Sequence, residues 1–170
     1  GLIDPNCHSM MAAPWLGAIL NGDQRYLTAI AAAESTRTLM RGFTSVRDVG
    51  GNSFGLKQAV DEGVLPGPRI YASGAMISVT SGHGDFRQAG DLPRTMGAPG
   101  PTDLEGDTAI ADSPDEVRMR VREQLMRGAA QIKLTAGGGV SSPHSPLDAI
   151  TFTPAELRAA VEAAGNWGTY

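Results

Sequence analysis

The side chains most able to do chemistry lie close to short apolar segments of the chain. His8 and His83 each come soon after such a segment, and Lys133 lies inside the apolar run 130–135. Burying a lysine ammonium is costly, so Lys133 must be paired, neutralised or covalently modified if this run is a buried strand. The alternatives are an amine that reaches solvent or an ion pair with Asp48.

Three side chains near these positions have structural interpretations. Arg47 and Asp48 end a segment rich in β-branched residues, and we predict an ion pair between them that organises this edge of the protein. Cys7 stands between Asn6 and His8. Alternation along a strand points its side chain away from theirs, so we predict a core position for Cys7 rather than a nucleophilic one.

An alternation of short apolar segments and helices positions these residues, which is the pattern of parallel α/β units. The predicted helices begin near residues 23, 54, 113 and 153, and the stretch 78–112 is predicted as a long polar loop. Right-handed crossovers place the helices outside the strands, and four units make about half of an eight-stranded barrel. We therefore predict an α/β fold, the first half of a (β/α)8 barrel, in one partial domain spanning 1–170. Its parallel strands are predicted at 1–4, 44–49, 69–73 and 130–135.

Helix starts are the clearest local signals. Ser113 and Thr153 are each followed at once by proline and three residues later by glutamate, which is the pattern of a capped helix start. In the last helix, Leu157, Val161 and Ala164 are predicted to form the apolar face.

Two alternatives compete with the half barrel. An open, doubly wound sheet is the first, but no G-x-G-x-x-G sequence follows the first predicted strand. The second is a phosphate-binding protein that uses the run 137–139 of three glycines as an anion cradle. That loop needs a helix directly after the glycines, whereas Pro143 and Pro146 delay the next helix to Thr153. Both alternatives are therefore disfavoured.

Composition excludes several classes of protein. The 170 residues carry a net charge of -4 at pH 7 and show no concentrated basic face, which argues against a nucleic-acid partner. No apolar stretch approaches the ~20 residues of a membrane span. Cys7 is the only cysteine, which rules out an intrachain disulfide and a thiolate-rich metal site. We expect a soluble protein, cytoplasmic or secreted.

Five motifs stand out along the chain: Gly1-Leu2-Ile3-Asp4 with His8, Thr44-Ser45-Val46-Arg47-Asp48 with Gly50-Gly51, Gly67-Pro68-Arg69, Gly82-His83-Gly84-Asp85, and Gln131-Ile132-Lys133. In this order and spacing they resemble the amidohydrolase superfamily. More narrowly, they are similar to the branch that contains imidazolonepropionase-like enzymes, Xaa-Pro dipeptidases and ochratoxin-hydrolysing amidases. The resemblance covers nearly the whole chain and implies hydrolysis of an amide bond in a dipeptide-like or N-acyl amino acid substrate.

The resemblance also implies a centre of two divalent metals, expected to be zinc. In that family an H-x-H pair closes the first strand, and a carboxylated lysine on strand four bridges the metals. His8 and Lys133 match two of these positions, whereas Asn6 stands at the first histidine position, where an amide suits zinc less well. Lys133 and His83 are the expected catalytic residues, with His83 on the substrate side. His144 is expected either as a second substrate contact or as a solvated residue of a flexible segment.

Two functional hypotheses follow. In the first, the chain belongs to a metal-dependent amidohydrolase in which activated water attacks the amide and an acid on the eighth strand shuttles the proton. In the second, it is a catalytically incomplete barrel half or a pseudoenzyme that serves as an assembly piece. Its partner would then be the missing barrel half or another copy. For the 170 residues alone we favour the second, because at most Asn6, His8 and Lys133 of a six-ligand site are present.

Overall fold

The protein is a mixed α/β structure in which every pair of strands is parallel. The computed structural model describes residues 1–97 and 99–170. Its strands are β1 (Leu2–Cys7), β2 (Phe43–Asp48), β3 (Arg69–Ala72), β4 (Met76–Ser78) and β5 (Thr108–Ile110). Its helices are α1 (Leu16–Asn21), α2 (Gln24–Met40), α3 (Phe54–Asp61), α4 (Pro101–Glu105), α5 (Pro114–Met126) and α6 (Pro154–Gly165).

The first three strands form one sheet in the order β1-β2-β3. The pairing of β1 with β2 runs from Leu2 opposite Phe43 to Cys7 opposite Asp48. Helices α2 and α3 make the crossovers to β2 and β3. The register therefore brings the carboxyl ends of β1 and β2 to the same edge, and the predicted α/β class with parallel strands is confirmed.

The predicted regular strand at 130–135 is wrong. Only Leu134 forms a bridge, parallel to Ile77, although Thr135 N also donates a hydrogen bond of 3.0 Å to Ile77 O. The segment 130–135 forms no continuous ladder because the backbone beside it, from β3 to β4, is itself interrupted. Gly74, between β3 and β4, has a φ of 73°, and this left-handed turn interrupts the extended backbone against which the segment would pair.

The stretch 78–112 is not the structureless loop that its composition predicts, because it contains α4 and β5. Gly106, with a φ of 79°, ends α4 in the left-handed region. The backbone then turns into β5, whose three residues are fully enclosed beside β4. A strand of three residues is too short to show a periodicity in sequence.

All four predicted helix starts are confirmed. Asp23 accepts hydrogen bonds from the first turn of α2, and Ser113 accepts one from Glu116 N at the start of α5. Thr153 forms a complete capping box with Glu156 at the start of α6. None of the helices within the described ranges is both long and apolar enough to cross a membrane.

The predicted apolar face of α6 is wrong at Val161, which is 71% exposed. The helix instead turns Ala160 and Ala163 toward Val117 and Val121 of α5. Small side chains let two helices approach closely, so the partner helix, not hydropathy, selects the buried face.

Two clusters of buried side chains stabilise the fold. One lies between α5, α6, β4 and β5, and the other between α2, α3 and the sheet β1-β2-β3. The first comprises Ala75, Ile77, Ala109, Ala111, Val117, Val121, Phe152, Ala160 and Ala163. The second comprises Ala31, Val46, Leu56, Ile70 and Ala72.

We predict that Ile77→Ala lowers the free energy of unfolding by about 2–5 kcal/mol, because it opens a cavity in the first cluster. The control is Ile150→Ala, since Ile150 is 90% exposed and its truncation should cost less than about 0.5 kcal/mol. Denaturant unfolding monitored by circular dichroism measures both values. Equal losses from the two substitutions would contradict this assignment of the core.

Candidate functional site

A cavity of about 610 Å³ opens beside the end of β1 and the segments that follow β4 and Leu134. Its wall includes five residues discussed in the sequence analysis, Asn6, Cys7, His8, His83 and Lys133, together with Asp4 of the first motif. Much of the remaining wall is apolar. It includes Met11, Leu16, Ile19, Met76 and Phe86.

His8 directly follows β1, and its ring is held in one orientation. Its Nδ1 lies 3.3 Å from the carbonyl oxygen of Gly50. Because a carbonyl oxygen only accepts hydrogen bonds, Nδ1 carries the proton, and the lone pair of the neutral ring is on Nε2. A side chain at Gly50 would overlap Met76, so glycine permits this close approach. Metal-ligating histidines are commonly oriented in this way by a carbonyl behind the ring.

Asp48 is fully buried beneath the loops that follow β1 and β2. Its carboxylate accepts hydrogen bonds from Ser9 N at 2.8 Å and from Gly50 N at 3.2 Å. Burial raises the pKa of Asp48, against the opposing effect of these donors. The carboxylate therefore joins the loop that carries His8 to the loop that carries the carbonyl partner of His8.

The predicted ion pair between Arg47 and Asp48 is wrong. Consecutive strand residues face opposite sides of a sheet, so the two side chains diverge. Arg47 donates from Nε to the carbonyl oxygen of Pro5 at 2.7 Å. Asp48 alone organises this edge of the site, and Arg47 instead ties β2 to the backbone of β1.

Lys133 is half-buried in the cavity wall and forms no ion pair with any other described residue. An ion pair with Asp48 is therefore not what holds it. The backbone of Lys133 is fixed instead, because its carbonyl oxygen accepts a hydrogen bond of 2.9 Å from Ile77 N. Asn6, at the exposed end of β1, shares the cavity.

His83 lies in the loop after β4 and faces the same cavity. Its Nδ1 is 3.1 Å from Ser142 Oγ, which accepts a hydrogen bond from Gly84 N at 2.9 Å. Burial lowers the pKa of His83, and the charges of Lys133 and His8 lower it further. The imidazole is therefore biased toward its neutral form.

The glycine run 137–139 is explained by packing. A Cβ at Gly138 would overlap the carbonyl of Pro146, and a Cβ at Gly139 would overlap the His83 ring. The next helix, α6, begins only at Pro154. The glycines thus let this loop lie against His83, and no helix start follows them to bind phosphate.

His144 lies outside the cavity. It is exposed, its carbonyl oxygen accepts a hydrogen bond of 2.6 Å from Ser81 Oγ, and its side chain borders a separate surface depression beside Arg87. Cys7 is only partly buried. It packs against the second buried cluster but also lines the cavity with Asn6 and His8, so the predicted core position holds only in part. Burial raises the pKa of its thiol.

Sequence reasoning missed Asp107, a second carboxyl in the cavity wall. It precedes β5, and its side chain accepts a hydrogen bond of 3.0 Å from Asn52 N. Burial raises the pKa of Asp107. No feature of the sequence indicated this position in the wall, because β5 was not predictable and Asp107 fell within the stretch 78–112 that was interpreted as a loop.

The donors fit part of a metal site. Nowhere in 1–97 and 99–170 do three His, Cys, Asp or Glu side chains cluster closely enough to hold a metal ion. His8 nevertheless presents a ring nitrogen with a free lone pair, and the amine of Lys133 is not committed to a carboxylate. Asn6 adds an amide oxygen, a weaker donor for zinc.

We predict that His83 of the metal-free protein titrates below the usual histidine value of about 6.5. Its contribution to stability is then fully present above pH ~6.5 and is lost as the pH falls from there toward the folded pKa, because the unfolded chain binds the proton first. Lys133→Met should raise the pKa of His83. Lys57→Met should not, because Lys57 pairs with Asp61 on α3. NMR titration of the imidazole Cε1 proton decides, and equal pKa values in both variants would refute the electrostatic role of Lys133.

Comparisons with known proteins indicate the same family as the sequence motifs. The sequence matches the Amidohydrolase family over residues 1–170. Ochratoxinase of Aspergillus niger is 40% identical over 133 residues, which cover 75% of this chain and 28% of that protein. A prolidase crystallised with N-methylphosphonate-L-proline is 38% identical with a TM-score of 0.90, over 100% of this chain and 41% of that one. A Xaa-Pro dipeptidase is 31% identical with a TM-score of 0.82, again over 100% and 41%.

The chain thus spans less than half the length of the relatives it matches. Its parallel α/β structure corresponds to the first half of their barrels, which decides against the open, doubly wound sheet. The chain belongs to the amidohydrolase family.

Proposed function

We propose that this chain forms part of a metal-dependent hydrolase of amide bonds that acts on dipeptide-like substrates. The observation that carries the proposal is that His8, Lys133 and His83 line one cavity, with Nε2 of neutral His8 free to bind and no carboxylate of residues 1–97 and 99–170 paired to Lys133. The neighbours named prolidase and Xaa-Pro dipeptidase support a proline-containing dipeptide as the substrate to test first.

Three side chains would hold divalent metal, two zinc ions being the first choice. His8 would bind through Nε2 and Asn6 through its amide oxygen. Lys133 would bind as a carbamate, formed when its neutral amine adds to carbon dioxide and releases a proton. When bound, the metal would polarise the amide carbonyl and lower the pKa of water enough for hydroxide, the attacking nucleophile, to form near neutral pH.

His83 would act on the substrate as a neutral hydrogen-bond donor. Ser142 Oγ already accepts from Gly84 N, so its own proton is available to His83 Nδ1. That arrangement leaves the proton of His83 on Nε2, where it can donate to a substrate carbonyl or carboxylate oxygen. The lowered pKa keeps the ring in this neutral state at pH 7.

A second proposal concerns the 170 residues by themselves. Because no three His, Cys, Asp or Glu side chains within the described ranges form a metal cluster, the isolated chain is expected to be catalytically incomplete. It would gain activity only together with further barrel strands or a second subunit. Zinc analysis and amidase assays of the isolated chain test this, and turnover by the isolated chain would overturn it.

Restoring histidine at position 6 tests the metal assignment. We predict that Asn6→His raises the bound metal per protein in the complete enzyme, because imidazole is a stronger zinc donor than an amide. Asn21→His is the control, since Asn21 is exposed on α1 outside the cavity. Elemental analysis after dialysis gives the metal content. Equal gains in both variants, or no gain in either, would contradict the role assigned to position 6.

Lys133→Ala tests the bridging role. We predict that it abolishes binding of the metal pair and hydrolysis of a Xaa-Pro dipeptide in the complete enzyme, with partial rescue by added formate or acetate. Lys57→Ala, which removes the only other lysine of the chain, should leave both unchanged. Retention of both metals and of turnover in Lys133→Ala would disprove the assignment.

A further inference from the structure

We propose that Asp107 is a specificity residue that binds a primary ammonium group on the acyl side of the substrate; this rests on the amide hydrolase function proposed above. Asp107 is only 7% exposed, yet it lines the cavity shared by His8, His83 and Lys133. Its carboxyl is therefore a buried acid in the wall of the space where substrate would lie.

The Asp107 carboxyl is held rigidly but only half satisfied. Its backbone N donates to Thr102 O at 2.9 Å, and its backbone O accepts from Met76 N at 3.1 Å. Oδ1 accepts the hydrogen bond from Asn52 N. Across residues 1–97 and 99–170, Oδ2 has no hydrogen-bond partner, and no cation pairs with the side chain. Oδ2 is not one of the fully enclosed side-chain atoms without a partner among the described residues, so it keeps some accessible surface in a residue that lines the cavity.

Asp107 is separate from the proposed metal ligands. Asp107 directly precedes β5, whereas His8 follows β1 and Lys133 stands beside Leu134. Burial raises the pKa of Asp107, and the Asn52 hydrogen bond opposes that rise. Two aspartates line the cavity. Asp4, on β1, already accepts a hydrogen bond of 2.9 Å from Asn6 N, whereas Asp107 stands directly before β5.

Charge decides which substrate group meets Asp107. A buried carboxylate with one amide donor gains most from a partner that brings positive charge. The free carboxylate of a dipeptide belongs to the departing amino acid and would be repelled by Asp107. We therefore assign Asp107 to the acyl side of the substrate. An ammonium group on that side is either the free α-amino group or the end of a lysine side chain.

The test compares four substrates in the complete, metal-loaded enzyme and in Asp107→Asn. Ala-Pro carries only the α-ammonium, N-acetyl-Lys-Pro only a side-chain ammonium, and N-acetyl-Ala-Pro and N-acetyl-norleucyl-Pro neither. We expect Asp107→Asn to lower kcat/KM about tenfold to one hundredfold, mainly through KM, for the ammonium substrate that the unmodified enzyme prefers. The neutral substrates should change less than about twofold. Whether Ala-Pro or N-acetyl-Lys-Pro loses more identifies the source of the ammonium.

Asp103→Asn is the matched control, because Asp103 pairs with Arg120 outside the cavity and its loss changes the net charge equally. It should leave the preference among the four substrates unchanged. If Asp107→Asn reduces all four substrates alike, or none, the inference is wrong while the proposed function stands. If the unmodified enzyme hydrolyses none of the four, the proposed function fails and the inference with it.

Discussion

The geometry of the cavity depends on one buried carboxylate. Asp48 accepts hydrogen bonds from Ser9 N and Gly50 N, and Gly50 O in turn orients the ring of His8. Two loops from neighbouring strands are thereby connected through one side chain that is closed to solvent. Because an enclosed charge is tolerated only with good donors around it, any shift of either loop would leave Asp48 unsatisfied. The free-energy cost of leaving Asp48 without these donors therefore keeps the loop that carries His8 in position.

The opposite wall of the cavity is positioned by close backbone approach. Gly139 lies against the His83 ring, and Ser142 reaches both that ring and Gly84 N. The loop after Leu134 and the loop after β4 are therefore packed as one unit. Lys133 stands at the base of this unit with its backbone bonded to Ile77, so its amine is presented to the cavity from a fixed point.

Parts of the fold were predictable because their signals are local. Caps at Asp23, Ser113 and Thr153 involve residues within one helical turn, so the sequence alone locates those helix starts. The face of α6 was not predictable, since Val161 is apolar but exposed and the alanines face α5. Likewise β5 has three residues and exists because β4 offers it an edge, which is a long-range condition.

By itself, the sequence determined the α/β class, the four main helix starts and the identity of the side chains His8, His83 and Lys133, because residue type and local capping need no distant partner. Only the tertiary structure decided which of these side chains share a cavity. It separated Arg47 from Asp48, left His144 on the surface and brought Asp107 into the wall. Side-chain direction on a short strand, and pairing between segments far apart in the chain, are set by packing and register, which no single stretch of sequence encodes.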